Sequence, residues 1–303
     1  MSKPIIVVGS SNTDMVIKAE RFPQPGQTIL GGEFFLFPGG KGANQAVAAA
    51  RLGGKVIFIA KVGNDMFGEQ ALQQFKTEGM ITDYVAKDPD HPSGVALITV
   101  DNNGENTIVV AQGSNGTLSP DDVKSAEREF EKADIVLTQL ETPLPTILHV
   151  AKLAGKFQKK MILNPAPAAS LPDDLFKYLY LITPNETETE VLTGIKVKDN
   201  ESLIAATEKL KQKGVANVII TLGSDGAYLS SDNGGKHIPT QKVKAVDSTA
   251  AGDVFNGAIA VALSENYTLE QAVEFANQAA AISVTKMGAQ ASAPYRRELK
   301  ANP

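Results

Sequence analysis

The chain has 303 residues, of which 43% are hydrophobic and 21% charged, with a net charge of −5 and no cysteine. That is enough apolar material for one large α/β domain, or for a large domain with a small companion. The acidic balance argues against a nucleic-acid groove built on bulk positive charge, and the missing thiols remove disulfides, Cys-based zinc sites and thiol nucleophiles.

The first segment, "MSKPIIVVGSSNTD", has an apolar run too short for a signal peptide and no cleavage pattern. No run approaches the length of a membrane span, so a cytoplasmic location is expected. His91, His149 and His237 are scattered without ligand-like spacing and are read as surface or packing residues.

In chain order, apolar runs at 5–9, 56–63, 134–140, 160–165, 180–185 and 217–223 predict buried strands. Amphipathic or Ala-rich segments near 43–52, 66–78, 120–132, 146–157, 201–213, 251–264 and 269–286 predict helices. Continuous apolar strands alternating with helices predict an α/β fold in three layers, a mainly parallel sheet flanked by helices. Residues 14–38 and 94–112 break this rhythm, the first with Pro-Gly punctuation and the second as a hairpin turning at Asn102, Asn103 and Gly104. Both are read as a small antiparallel β lid on the main sheet. Burial by a second subunit is the preferred explanation for its Phe-rich run, "FFLF". No linker or repeat divides residues 1–303, so a single domain with this lid is expected.

Ligands on open α/β sheets sit at the carboxyl ends of strands, which directs attention to the loops there. After the first strand, "GSSNTD" presents Asn12 and Asp14, suited to hydroxyl groups, although Ser, Asn and Asp also make ordinary turns. In "PGGKGANQAVAAARLGG", Gly39, Gly40 and Gly42 are read as room for a ligand to approach the backbone, with a purely structural turn as the competing reading, and Asn44 sits in the first turn of a helix. A Walker A loop is excluded, because Gly42 rather than Ser or Thr follows Lys41 and Phe35 stands where the leading glycine would be.

In "TPNETETE", Asn185 and Glu188 lie one helical turn apart. They suit Mg²⁺ held through water beside phosphates, or simply an acidic helix start. "TLGSDGAYLS" places Gly223 and Gly226 in a tight turn where Thr221 and Ser224 would line a nucleotide, and taken alone it is any hairpin.

The most informative stretch is "VDSTAAGDVFNGAIAVAL". Ala250, Ala251 and Gly252 at a helix start would expose backbone N–H groups to phosphate oxygens. Asp253 stands beside them, an odd neighbour for an anion alone. It makes sense if its carboxylate faces an alcohol that attacks phosphorus, taking the proton while the amides neutralise the transferred group. Capping of its own helix is the competing reading of Asp253.

Taken with "NPAPA" and "AAAISVTKMGAQASAP", these motifs resemble, in order and over nearly the whole chain, the PfkB (ribokinase-like) family of sugar kinases. The resemblance implies ATP-dependent phosphorylation of D-ribose at its 5-hydroxyl, with Asp253 as base and Ala250, Ala251 and Gly252 as anion hole. It implies sugar contacts at Asn12, Asp14, Gly40, Lys41, Gly42, Ala43, Asn44, Glu141 and Asp253. Nucleotide contacts are implied at Asn185, Thr221, Leu222, Gly223, Ser224, Asp225, Gly226, Gly252 and Asn277. It further implies Mg²⁺ near Asn185 and Glu188, and a monovalent cation, usually K⁺, at Asp247, Thr249, Ser283, Lys286, Gly288 and Ser292. A homodimer through the lid is also implied. The family's Asp-Thr-x-Gly-Ala-Gly-Asp pattern is altered here to Ser248 and Ala250, which keeps a hydroxyl and a small residue.

Similar polar sets serve 2-deoxyribose or fructose, so those sugars remain alternatives. No aromatic clamp is placed for a nucleoside base. A non-catalytic sugar or nucleotide sensor would be expected to have lost the acid or its anion hole, and both are present.

Overall fold

Ile5–Val8 forms strand β1 near the middle of a sheet, and its alternate residues enter two different cores. Ile5 and Val7 face one apolar cluster and Ile6 and Val8 the other, which is why the run is apolar without interruption. The computed structural model describes residues 3–299.

The remaining strands are β2 (Asn12–Lys18), β3 (Glu33–Gly39), β4 (Val56–Gly63), β5 (Ile81–Asp88), β6 (Gly94–Val100), β7 (Asn106–Ala111), β8 (Ile135–Thr138), β9 (Lys160–Leu163), β10 (Leu181–Ile182), β11 (Asn217–Thr221), β12 (Ala227–Ser231) and β13 (Gly234–Ile238). The helices are α1 (Lys41–Arg51), α2 (Met66–Thr77), α3 (Pro120–Lys124), α4 (Glu127–Lys132), α5 (Leu144–Lys156), α6 (Asp173–Phe176), α7 (Glu186–Thr193), α8 (Asn200–Gln212), α9 (Ala251–Ser264), α10 (Leu269–Ser283) and α11 (Ala289–Ser292).

The main sheet has nine strands in the order β13-β12-β11-β10-β9-β8-β1-β4-β5. All pairings from β11 to β5 are parallel, and the β12 and β13 pairings at one edge are antiparallel. Helices α1, α9 and α10 cover one face, and α3, α4, α5 and α8 the other. This is the expected three-layer fold. The sequence reading did not identify β5 or β13, the two edge strands, whose exposed and polar positions break the apolar pattern. The expected helix over 120–132 is two short ones, α3 and α4, and the strand expected over 180–185 keeps only Leu181 and Ile182.

The second sheet has four strands in the order β3-β2-β6-β7. The β2–β3 and β6–β7 pairings are antiparallel as expected, and the two pairs join through a parallel β2–β6 ladder. The β6–β7 turn closes on Asp101, whose carboxylate accepts the Asn103 and Glu105 amides, with Gly104 at φ 82°. Among the described residues, no helix is long and apolar enough to cross a membrane.

Candidate active site

The loops that leave β1, β8, β9, β10 and β11 converge at one edge of the main sheet, beside the start of α9. What brings α1 to that point is its packing on α9. A side chain at Gly257 would meet the backbone oxygen of Gln45 at 2.7 Å and the Ala48 side chain at 2.9 Å, so only glycine allows this approach. With Ala43, Ala46, Ala48 and Ala49 on α1, the two helices lie close enough for short side chains to reach across.

Asp253, on the first turn of α9, is 5% exposed. It does not cap its own helix: one carboxylate oxygen accepts from Asn44 Nδ2 at 2.9 Å and the other from Gln45 Nε2 at 2.9 Å. Burial holds its proton affinity above the usual carboxylate range, against the opposing pull of Lys41 and the two amides. The Asn44 Oδ1 is buried without a partner.

The N-terminal residue of the α9 turn is Ala250 in the left-handed region, at φ 61°. Ala251 turns its amide back to Ser248 O at 3.3 Å, and Val254 donates to Ala250 O at 2.9 Å. The amides of Ala250, Gly252 and Asp253 have no protein partner among the described residues. Of the anion hole expected at Ala250, Ala251 and Gly252, the Ala251 amide is therefore committed elsewhere, and that of Asp253 itself is free.

Asp14 on β2, Glu141 after β8 and Glu188 on α7 surround the same point, with Lys41 among them. Burial, then the charges of Glu141 and Asp253, push the Asp14 carboxyl up to about 6, against the pull of Lys41. Burial would lower the Lys41 ammonium, but the four carboxylates together hold it above its ordinary value. Burial raises Glu188 despite its bond from the Asn185 amide and its attraction to Lys41. Glu141 is fixed by Ser10 Oγ at 2.5 Å and the Lys41 amide at 2.9 Å.

Glycines 39, 40 and 42 turn out to serve the chain itself. A side chain at Gly39 would meet the Asp14 carboxylate; at Gly40, with φ 87°, it would meet the Asn12 amide at 2.7 Å; at Gly42 it would lie 2.6 Å from the Gly9 backbone. On the side where a Cβ would stand, that space is filled by β2 and the β1–β2 connection. Ala43 is fully buried in the core, its amide bonded to Ser10 O, so it offers a ligand neither side chain nor N–H. Gly252 is the opposite case, because a Cβ there would meet nothing within 4 Å.

That open side of Gly252 faces a cavity of about 320 Å³. Thr221, Gly223, Ser224 and Gly226 form one wall, and Ala251, Phe255 and Asn277 another. The Asn277 amide is held by Ile238 O and Pro239 O, so it shapes the wall more than it reaches inward. Leu222 and Asp225 face the adjoining cleft instead, and Asp225 pairs with Lys242 at 2.8 Å. The irregular stretch from Thr240 to Ala245 completes the lining and was not picked out from the sequence, since it has no regular pattern. A second cavity, about 240 Å³, lies on the lid side between Asn12, Glu141, Val110 and Pro167. Asn115 donates to Asn12 Oδ1 at 2.7 Å and clamps both backbone groups of Ser11, a role invisible in the polar turn "GSNGT".

Asn185 and Glu188 form a reciprocal capping box, at 2.8 and 2.9 Å. The Asn185 oxygen thus serves the helix start, the other of the two readings of this pair, and one Glu188 oxygen is left for a metal-bound water. Among the described residues no group of three acidic or histidine side chains could hold a metal directly. The segments expected around a monovalent cation do meet: Asp247 accepts from the Thr249 amide at 2.9 Å and the Gly288 amide at 2.8 Å. The Ser283 and Ser292 hydroxyls bond within their own helices, and the Lys286 ammonium turns away to Glu298 at 2.6 Å.

A buried carboxylate held by two side-chain amides, next to free helix amides at the wall of a cavity, is an arrangement for phosphoryl transfer to an alcohol. Comparison with known proteins agrees. The pfkB family carbohydrate kinase model matches residues 2–296. The ribokinase of Haemophilus influenzae is 44% identical, across 98% of this chain and 97% of its own. A Salmonella typhi deoxyribokinase is 38% identical, across 96% and 95%. The structure of Arabidopsis thaliana ribokinase complexed with ribose and ATP superposes with a TM-score of 0.91 at 32% identity, covering 98% of this chain and 97% of that one. The chain belongs to the pfkB family of carbohydrate kinases.

Proposed function

We propose that this protein transfers the γ-phosphoryl group of ATP to the 5-hydroxyl of D-ribose, giving D-ribose 5-phosphate and ADP. The observation that carries the reading is the adjacency of Gly252, open to the larger cavity, and Asp253, buried and turned toward Asn44. ATP in the larger cavity would bring its terminal phosphate to the free α9 amides. The sugar would lie by Asn12, Asp14, Lys41, Asn44 and Glu141, with the unpartnered Asn44 oxygen accepting a hydrogen bond from one hydroxyl. Asp253 takes the proton of the attacking hydroxyl late in the transfer, and positioning and charge neutralisation supply most of the acceleration.

Mg²⁺ fits the charge of the site. Four carboxylates around one lysine repel a polyphosphate, and a divalent cation held by Glu188 through water would offset that repulsion. A monovalent cation, in our reading K⁺, fits the oxygen-rich meeting of the 247–249 and 283–292 segments, where the lysine charge is turned away. Its part would be to steady the loop that leads into Ala250.

We read the chain as one kinase domain with a lid that also makes a homodimer, working in the cytoplasm where ATP is available. Cross-strand register puts Leu36, Met15, Leu97 and Val109 in one row on the face of the lid away from Asp14. Phe34 and Ile17 extend that row, and Val109 and Phe34 are 69% and 58% exposed. Such an apolar face suits a second copy of the chain.

The 38% identity to a deoxyribokinase favours 2-deoxyribose as the second reading. ADP release measured with ribose, 2-deoxyribose and fructose, in ATP, Mg²⁺ and K⁺, separates them. The highest kcat/KM is expected for ribose, and ADP release no faster with any of the sugars than without would overturn the proposal.

A further inference from the structure

We propose that Gln45 is a positioning residue of this site: its amide, set from behind by Gln139, clamps the Asp253 carboxylate in the attitude from which it takes the proton of a bound hydroxyl. This rests on the assignment of Asp253 as base.

Gln45 is 0% exposed and lies inside an otherwise Ala-rich helix, where a buried amide is costly unless each of its groups is used. Its nitrogen donates to Asp253 Oδ1 at 2.9 Å and to Asn164 Oδ1 at 3.0 Å. Its oxygen accepts from Gln139 Nε2 at 2.7 Å. An ionised carboxylate only accepts, so the nitrogen end of Gln45 must face Asp253 and the oxygen end must face Gln139. Asn164 passes the chain on to Thr183 O at 3.2 Å, ending it on the main chain. Gln139, Asn164 and Thr183 follow directly on β8, β9 and β10, so the clamp is referred to the rigid edge of the sheet.

Asn44 and Gln45 hold the two carboxylate oxygens from the same helix, yet differ in what else they offer. Asn44 keeps an unpartnered oxygen, whereas Gln45 has every group engaged within the protein. Gln45 therefore has no route to the sugar except through Asp253. The charged groups that face Asp253 are Lys41 at the start of α1, Glu141 after β8, Asp14 on β2 and Glu188 on α7, and none of them bonds to Gln45. Removing the Gln45 donor leaves a buried carboxylate with one amide fewer, so its ionised form is reached only at higher pH.

The test compares kcat, both KM values and the pH profile of kcat for wild type, Gln45→Met, Gln139→Met, Asp253→Asn and the Gln45→Met/Asp253→Asn double variant. Gln45→Met should lower kcat about 10–100-fold, with both KM values within about threefold, the size expected for a lost bond to a charged group. Its acid limb should move up by about one pH unit. Gln139→Met leaves Gln45 in place and should move the same limb in the same direction by less. In the Asp253→Asn background, Gln45→Met should change kcat by less than about twofold, since coupled residues are non-additive. A wild-type kcat and acid limb in Gln45→Met would overturn the proposal, as would an equal loss in the Asp253→Asn background. Should Gln45→Met fail to fold, an unmoved limb in Gln139→Met overturns it alone. An Asp253→Asn enzyme that keeps the wild-type acid limb would instead remove the base assignment, and the inference with it.

Discussion

Asn44 and Asp253 are 209 residues apart in the chain, and their side chains meet at 2.9 Å. The contact exists because α1 and α9 pack through Gly257, and it joins the glycine-rich start of one helix to the start of the other. Asn44→Leu removes the donor to Asp253 together with the unpartnered oxygen proposed to meet the sugar. Each such bond to a charged or buried group is worth about 1–3 kcal/mol, so kcat/KM for the sugar should fall about 10²-fold or more. Steady-state kinetics with ATP saturating would check it, and the KM for ATP should hardly move.

Two glycines predict opposite phenotypes. Gly252→Ala points its methyl into the open cavity, so the protein should melt at or slightly above the wild-type temperature, Ala being the better helix former. In the proposed reaction the same methyl would intrude on the path of the phosphoryl group, and kcat should fall by about 10²-fold or more. Gly42→Ala drives its methyl into the Gly9 and Ser10 backbone, a clash that should cost about 1–3 kcal/mol of stability. Thermal melts and turnover of the two variants together distinguish a glycine kept for ligand room from one kept for packing.

Asp14 has its carboxyl raised to about 6 from 3.8. Between those values the native chain keeps a proton that the unfolded chain has released. Its contribution to stability is thus fully present below 3.8 and lost as the pH rises through 6. Asp14→Asn should therefore raise the melting temperature of the ligand-free protein by a few degrees at pH 7, on the order of 1–2 kcal/mol. Its sugar KM should rise, and the weakening of sugar binding on acidification below pH 6 should be reduced in the variant. Melting curves and sugar KM across this range test both signs.

The lid face makes a prediction of its own. Leu97→Arg with Val109→Arg charges the outer apolar row without touching the face that carries Asp14. Light scattering after size exclusion should show a dimer for wild type and a monomer for the double variant. A wild-type monomer would remove the lid interface.

Much of this was legible in the sequence because it rests on local pattern. The central strands are apolar without a break, since both faces are buried, and they were found. The edge strands β5 and β13 are half-exposed and mixed in character, and they were not. Asp253 could be singled out because small residues precede an acid at a helix start, although capping and catalysis look alike until its partners are seen. Gln45 carries no such local mark. Nothing local says that a glutamine in an Ala-rich helix faces a carboxylate 208 positions away. The two readings of the glycines look alike for the same reason, since the backbone they accommodate comes from another part of the chain. The helix start is one of the two readings of "TPNETETE", and the reciprocal capping box of Asn185 and Glu188 that forms it is visible only in the structure.

The most direct measurement is sugar-dependent ADP release by Asp253→Asn, made beside ATP binding and a thermal melt. The variant should fold and bind ATP as wild type does, with kcat lower by about 10²–10⁴-fold, the usual loss for a general base. Turnover near the wild-type rate would contradict the role given to Asp253.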